Sequence, residues 1–89
     1  MIRKRGVAMR KRLTGTAQCR DFQVRYYLLE ECSPEGTVYG VGSERDGESI
    51  ELRDVTASRA QAQALLDSLA RGQVTPAALR DVVEDWLLA

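Results

Sequence analysis

The stretch FQVRYYLL, residues 22–29, decides the fold of this chain. Apolar residues stand at every second position, beginning with Phe22, and alternate with polar ones. Aromatic and β-branched side chains at this period are typical of a strand with one buried face. The pattern predicts a strand within residues 18–31, and at Tyr26-Tyr27-Leu28-Leu29 both of its faces become apolar.

Two turn signals follow this strand. Ser33-Pro34-Glu35-Gly36 places proline and glycine where type I turns favour them, and Asp46-Gly47 is a strong hairpin signal. Between them, residues 37–44 predict a second strand, in which Gly40 and Gly42 suggest a bulge or a close backbone approach. Residues 48–55 predict a third strand, which completes an antiparallel meander.

After Val55 the apolar period becomes helical. Ser58 to Gln61 fits a capping box, with Thr56 as an alternative cap, and we expect Gly72 to end the first helix in a left-handed conformation. Thr75 and Pro76 predict the start of a second helix. The fold class is therefore α+β: a three-stranded antiparallel meander followed by two helices on one face, β-β-β-α-α, a two-layer sandwich.

The organisation predicted is one domain over residues 15–89 behind a basic, flexible arm over residues 1–14. Its core is expected to consist of apolar residues from the strands and both helices: Phe22, Val24, Tyr26, Leu28, Ile50, Leu52, Leu65, Leu66, Leu69, Leu79, Val83 and Trp86.

Composition narrows the class of protein. The 89 residues have no net charge and are 44% hydrophobic, which is ordinary for a globular domain. No apolar stretch is long enough for a membrane span, and none follows the basic start as a secretory signal would require. With Cys19 and Cys32 expected as free thiols, we predict a cytoplasmic protein.

Chemistry-bearing motifs are scarce. The chain has no histidine and no phosphate-binding glycine loop, and its two cysteines lack a metal-ligand spacing. No nucleophile, base and orienting group can be assembled. We therefore expect no catalytic residues, no metal and no cofactor, and not an enzyme.

The acidic residues of the second helix form the first candidate for partner binding. Asp81, Glu84 and Asp85 share one helical face, where like charges repel and, near the helix end, oppose the macrodipole. A basic partner would relieve this repulsion, and the chain's own arm is one such partner. A solvated acidic face is the alternative interpretation.

Outward-facing sheet residues form the second candidate. If Tyr26 and Leu28 point inward, Tyr27 and Leu29 point outward, and Tyr39 of the next strand joins them if the register allows. Exposed aromatic and aliphatic residues mark a surface for a partner protein or a second copy. The alternative is that a tail or a bulge covers them.

The basic arm is the third candidate. Six of the thirteen positive residues lie in the first twelve positions, which leaves a net charge of −6 on residues 13–89. Those six are Arg3, Lys4, Arg5, Arg10, Lys11 and Arg12. They predict an alternative function, nucleic-acid binding through phosphate contacts, although the arm has no aromatic residue for base stacking and the body is acidic.

The segment VTPAALRDVVEDWL, residues 74–87, together with YYLL at 26–29 and YGV at 39–41, resembles a family of short proteins of unknown function from Clostridia and related Firmicutes. The resemblance spans about residues 20–88 and leaves out the arm. It implies a bacterial protein in which Asp81, Glu84 and Asp85 belong to the family's signature, and it implies no activity.

These observations predict a small non-enzymatic protein-binding or regulatory module. Its partner is another protein, its binding residues are the acidic helix face and the outward sheet residues, and both monomer and homodimer remain open.

Overall fold

The computed structural model describes residues 8–19 and 21–88. Within them the chain forms one four-stranded antiparallel sheet, in the order β1-β2-β3-β4, followed by two helices. The elements are β1 Ala8–Cys19, β2 Phe22–Ser33, β3 Gly36–Arg45, β4 Glu48–Thr56, α1 Arg59–Arg71 and α2 Pro76–Leu88. The α+β class is as predicted, but the count of three strands is wrong.

The strand missing from the prediction is β1, which pairs with β2 along its whole length. Residues 8–14 belong to the predicted flexible arm, whereas the structure places them in the sheet. A register shift between Leu13 and Gly15 inserts an extra residue, so Leu13 pairs with Tyr27 while Ala17 pairs with Val24. Because this bulge turns Leu13 and Ala17 to opposite faces, no period-two pattern runs through the segment.

Both helices cover the same face of the sheet, which we call the inner face. Helix α1 contacts all four strands, and α2 contacts β3 and β4. Val24, Tyr26 and Leu28 of β2 and Val41 of β3 are buried against Leu65, Leu66 and Leu69 of α1 and Leu79 and Val83 of α2. Most of the predicted core is confirmed, and Ala17, Val41 and Ala62 join it. The other predicted core residues are only partly buried and pack against it: Phe22, Ile50, Leu52 and Trp86.

The hairpin prediction is confirmed, whereas the predicted capping box forms only in its serine half, because the Ser58 amide donates to Thr56 and not to the Gln61 side chain. Asp46 and Gly47 both have positive φ, 48° and 81°, as a two-residue type I′ hairpin requires. Ser58 caps α1 by accepting a hydrogen bond from the Gln61 amide at 3.2 Å, while the Ser58 amide donates to Thr56 Oγ1 at 3.1 Å.

The end of α1 differs from the expectation. Gly72 has a φ of −83°, and the left-handed residue is Gln73, with a φ of 52°. The amide of Gln73 donates to the Ala70 carbonyl at 3.2 Å and that of Val74 to the Leu69 carbonyl at 3.0 Å. This is a Schellman motif whose left-handed position lies one residue beyond the glycine.

Candidate protein-binding surface

The face of the sheet opposite the helices, which we call the outer face, is covered by no described element. Strand alternation and register place on it Met9, Lys11 and Leu13 of β1, Arg25, Tyr27 and Leu29 of β2, Glu44 of β3, and Glu51 of β4. An antiparallel sheet with one open face normally presents polar side chains there. Here polar and apolar side chains are mixed.

Lys11 crosses the outer face from one edge strand to the other. Its Nζ atom lies 4.5 Å from the centroid of the Tyr27 ring and 2.8 Å from Glu51 Oε2 on β4. Gly42 makes this crossing feasible, because it stands between Tyr27 and Glu51 in the register and adds no side chain. The hydrogen bond to Glu51 raises the pKa of the Lys11 ammonium, with Coulombic attraction to the same carboxylate adding to the effect.

Glu44 of β3 contacts the hydroxyl group of Tyr27. Its Oε1 atom accepts a hydrogen bond from the Tyr27 hydroxyl at 3.3 Å and one from Arg25 Nη1 at 3.3 Å. The Tyr27 side chain is therefore fixed between the cation of Lys11 and the carboxylate of Glu44. This ring contributes a rigid, half-buried patch to the centre of the outer face.

Apolar side chains are exposed on the outer face along β1. Met9 is 37% exposed and Leu13 is 53% exposed, and both belong to β1. Leu29 is only 2% exposed, although it lies on the outer face between Lys11 and Gly40 in the register. The accessible apolar part of the outer face is thus at the β1 edge, and Leu29 is not available to a partner.

Tyr39 does not join this surface. It stands two residues before Val41 on β3 and packs, half-buried, against the inner-face core. The predicted set of outward residues is therefore divided: Tyr27 is accessible on the outer face, Leu29 is buried, and Tyr39 faces the helices.

The acidic residues of α2 form a separate surface. Asp81, Glu84 and Asp85 are all exposed, and α2 packs over β3 and β4, on the side of the sheet away from β1. The described part of the basic segment pairs with β2 instead, and its one ion pair among the described residues joins Lys11 to Glu51. The acidic helix and the outer face are thus on opposite faces of the sheet.

The basic residues fall into two groups. Arg10, Lys11 and Arg12 are exposed on β1, whereas Arg3, Lys4 and Arg5 lie outside the described residues. On β1 the register places Glu31 and Glu30 of β2 opposite Met9 and Arg10. The basic stretch is therefore part of an edge strand with acidic neighbours.

Sequence reasoning missed the contribution of Met9, Leu13, Arg25, Glu44 and Glu51 to the outer face. Arg25, Glu44 and Glu51 lie on strands that the sequence predicts, whereas Met9 and Leu13 come from β1, a strand that the pattern does not reveal. Within the described residues no group of three or more acidic or cysteine side chains is arranged to hold a metal ion. No described helix is long and apolar enough to cross a membrane. The Cys32 thiol is free.

Comparison with known proteins identifies the family of the chain. No curated protein and no solved structure matches the chain. The model of a family of unknown function (DUF6514) matches residues 5–89, so the match includes all of β1 and extends beyond the resemblance expected over residues 20–88. Because the match spans nearly the whole sequence, the chain belongs to this family of unknown function, DUF6514.

Proposed function

We propose that the chain is a non-enzymatic protein-binding or regulatory module that contacts its partner through the outer face at the β1 edge. The observation that carries this proposal is the exposure of Leu13, which pairs with Tyr27, and of Met9 farther along the same strand. Aromatic and apolar side chains that stay exposed on a rigid sheet are typical of interaction surfaces. The proposal includes the clostridial origin and the cytoplasmic location that the sequence predicts.

The test is a pull-down from a clostridial lysate, performed with and without nuclease. Leu13→Glu introduces a charge into the outer face, and Leu88→Glu makes the same change on α2, where Leu88 is 86% exposed. We expect the wild-type chain and Leu88→Glu to capture the same protein and Leu13→Glu to lose it. Capture that survives Leu13→Glu would show that the outer face is not the binding surface.

The acidic face of α2 is the second surface on which a protein partner could bind. Asp81→Asn, Glu84→Gln and Asp85→Asn combined remove its charge with little change in shape, and all three residues are exposed. If this triple variant loses the captured protein while Leu13→Glu retains it, the binding surface is α2.

Nucleic-acid binding is the alternative function, and it is favoured by three consecutive exposed cations, Arg10, Lys11 and Arg12, in one edge strand. Against it, Lys11 is paired with Glu51. Phosphate binding through this strand predicts an affinity for RNA or DNA that falls steeply with salt. Capture that disappears with nuclease would favour this alternative.

A further inference from the structure

We infer that the edge of β1 that points away from β2, over residues 8–13, binds an extended acidic segment of the partner protein as an additional strand. This inference rests on the proposed protein-binding function and names the chemistry of the partner. It combines two observations: an edge strand with backbone groups on its unpaired side, and a run of exposed cations along that strand.

The geometry of β1 suits strand addition. β1 is twelve residues long and pairs with β2 on one side, and no described strand pairs with its other side. A strand has alternate amides and carbonyls directed to each side, so its unpaired side offers donors and acceptors to a further strand. The bulge between Leu13 and Gly15 interrupts this regular spacing and limits the site to residues 8–13.

The cationic side chains of β1 favour an acidic partner. Consecutive residues in a strand point to opposite faces, so Lys11 lies on the outer face while Arg10 and Arg12 point to the other side. All three side chains are exposed, and among the described residues neither Arg10 nor Arg12 forms an ion pair. An acidic strand laid along β1 would therefore meet two cations without ion pairs, Arg10 and Arg12, on one face, while Lys11 on the other face is paired with Glu51. Opposite charges on adjacent strands stabilise their pairing.

A peptide strand fits this edge better than a nucleic acid does. The backbone groups of β1 repeat at the spacing of another strand, and exposed Met9 and Leu13 flank Lys11 with apolar surface. Residues 8–13 contain no aromatic side chain on which a base could stack. The nearest outer-face ring, that of Tyr27, already has Lys11 above it.

The experiment is an NMR titration of the full chain with a blocked eight-residue peptide of alternating glutamate and threonine. Three probes serve as controls: the same peptide with lysine in place of glutamate, the acidic peptide N-methylated at every residue, and single-stranded oligothymidine. Binding constants and amide hydrogen exchange of residues 8–13 are measured. We expect the acidic peptide to bind and to slow exchange at alternate residues of this segment.

Charge-reversal variants locate the site. Arg10→Glu with Arg12→Glu should weaken peptide binding by about tenfold or more, because both cations would then repel the peptide. Arg53→Glu with Arg80→Glu makes the same change of net charge on β4 and α2, where both arginines are exposed, and should leave the binding constant within about twofold.

Three results would overturn the inference: no binding of the acidic peptide, equal binding of the N-methylated peptide, or tighter binding of oligothymidine. The pull-down distinguishes such a failure from a failure of the proposed function. If Leu13→Glu abolishes capture from the lysate but the acidic peptide does not bind, the outer face binds a protein without strand addition. If the wild-type chain neither captures a protein nor binds the peptide, both proposals are wrong.

Discussion

Tyr26 links the sheet to the loop between the helices, and its hydroxyl donates to the Val74 carbonyl at 2.7 Å. The side chain is fully buried. We expect Tyr26→Phe to lower the free energy of unfolding by about 1–2 kcal/mol, because the Val74 carbonyl loses a buried donor. Urea denaturation followed by circular dichroism measures the change.

Ser43 provides the contrasting substitution in the same layer, since it pairs with Tyr26 in the register. Its Oγ atom is buried and has no hydrogen-bond partner among the described residues. We expect Ser43→Ala to leave the free energy of unfolding unchanged or to raise it by up to about 1 kcal/mol, since an unsatisfied hydroxyl costs desolvation. A loss as large as that of Tyr26→Phe would mean that the Ser43 hydroxyl has a stabilising partner.

The sequence predicts that Gly72 ends α1 in a left-handed conformation, whereas in the structure the left-handed residue is Gln73. Gly72 adopts a helical φ, and a Cβ atom there would lie 3.4 Å from the Ser68 carbonyl oxygen and 3.5 Å from Val74 Cγ2. We expect Gly72→Ala to be neutral or to stabilise by about 0.5 kcal/mol, because alanine narrows the unfolded ensemble. Thermal denaturation tests this, and a clear loss of stability would mean that Gly72 must reach the left-handed region.

At the scale of the elements, Gly40 permits the close approach of β3 and β4. The pairing passes from Tyr39–Thr56 to Val41–Leu52, so β4 bulges opposite Gly40. A Cβ atom at Gly40 would overlap the Leu52 carbonyl oxygen and lie 2.9 Å from Arg53 Cα. We therefore expect Gly40→Ala to lower the free energy of unfolding by about 2 kcal/mol or more.

Gly42→Ala is the matched control for this element. A Cβ atom there would lie 3.4 Å from Glu51 Cγ, a flexible side chain, and 3.4 Å from the Ile50 carbonyl oxygen. We expect a smaller loss of stability than for Gly40→Ala, measured by urea denaturation of both variants. Equal losses would contradict the assignment of the close approach to Gly40.

Elements with a buried face could be predicted from the sequence, and the edge strand β1 could not. The alternation in β2 and the helical spacing of Leu65, Leu66 and Leu69 reflect burial, which is a property of the pattern itself. In β1 most side chains are exposed, and the bulge at Leu13 reverses the phase, so burial leaves no period there. The candidate surface was therefore predicted through Tyr27 on β2 but not through Met9 and Leu13.

At the scale of the whole molecule, the Lys11–Glu51 pair joins the two edges of the sheet. The pKa of Lys11 is raised above its ordinary value of 10.5 by its hydrogen bond to Glu51. A raised folded-state pKa gives stability that is fully present below pH 10.5 and lost as the pH rises through the folded-state value. Since both side chains are partly exposed, the contribution at neutral pH should be below about 1 kcal/mol.

We therefore expect Lys11→Met to lower the free energy of unfolding slightly at pH 7. The difference in free energy of unfolding between this variant and the wild-type chain should shrink above pH 10.5. Lys11→Arg keeps its charge at high pH, so it is the control whose stability should not follow this titration. Urea denaturation at pH 7, 9 and 11 measures all three proteins. A difference between Lys11→Met and the wild-type chain that stays constant with pH would show that packing of the lysine stem, and not its charge, stabilises the fold.

The first half of β1 is expected to stabilise the whole domain, although its sequence is typical of a dispensable basic tail. Residues 8–12 pair with Leu28 to Cys32, and Leu28 and Leu29 are only 4% and 2% exposed. Deleting residues 1–12 uncovers this stretch of β2, whereas a chain of residues 8–89 keeps β1 complete and serves as the reference. We expect the 13–89 chain to be less stable than the 8–89 chain by about 2 kcal/mol or more, because apolar surface of both leucines returns to water. Thermal and urea denaturation compare the two chains. Equal stabilities would mean that residues 8–12 contribute nothing to the sheet, as the sequence predicts for an arm.

If the stability is lost as expected, a truncation cannot separate the binding role of the basic residues from their structural role. Substitutions that keep the strand, such as Arg10→Glu with Arg12→Glu, can separate the two roles.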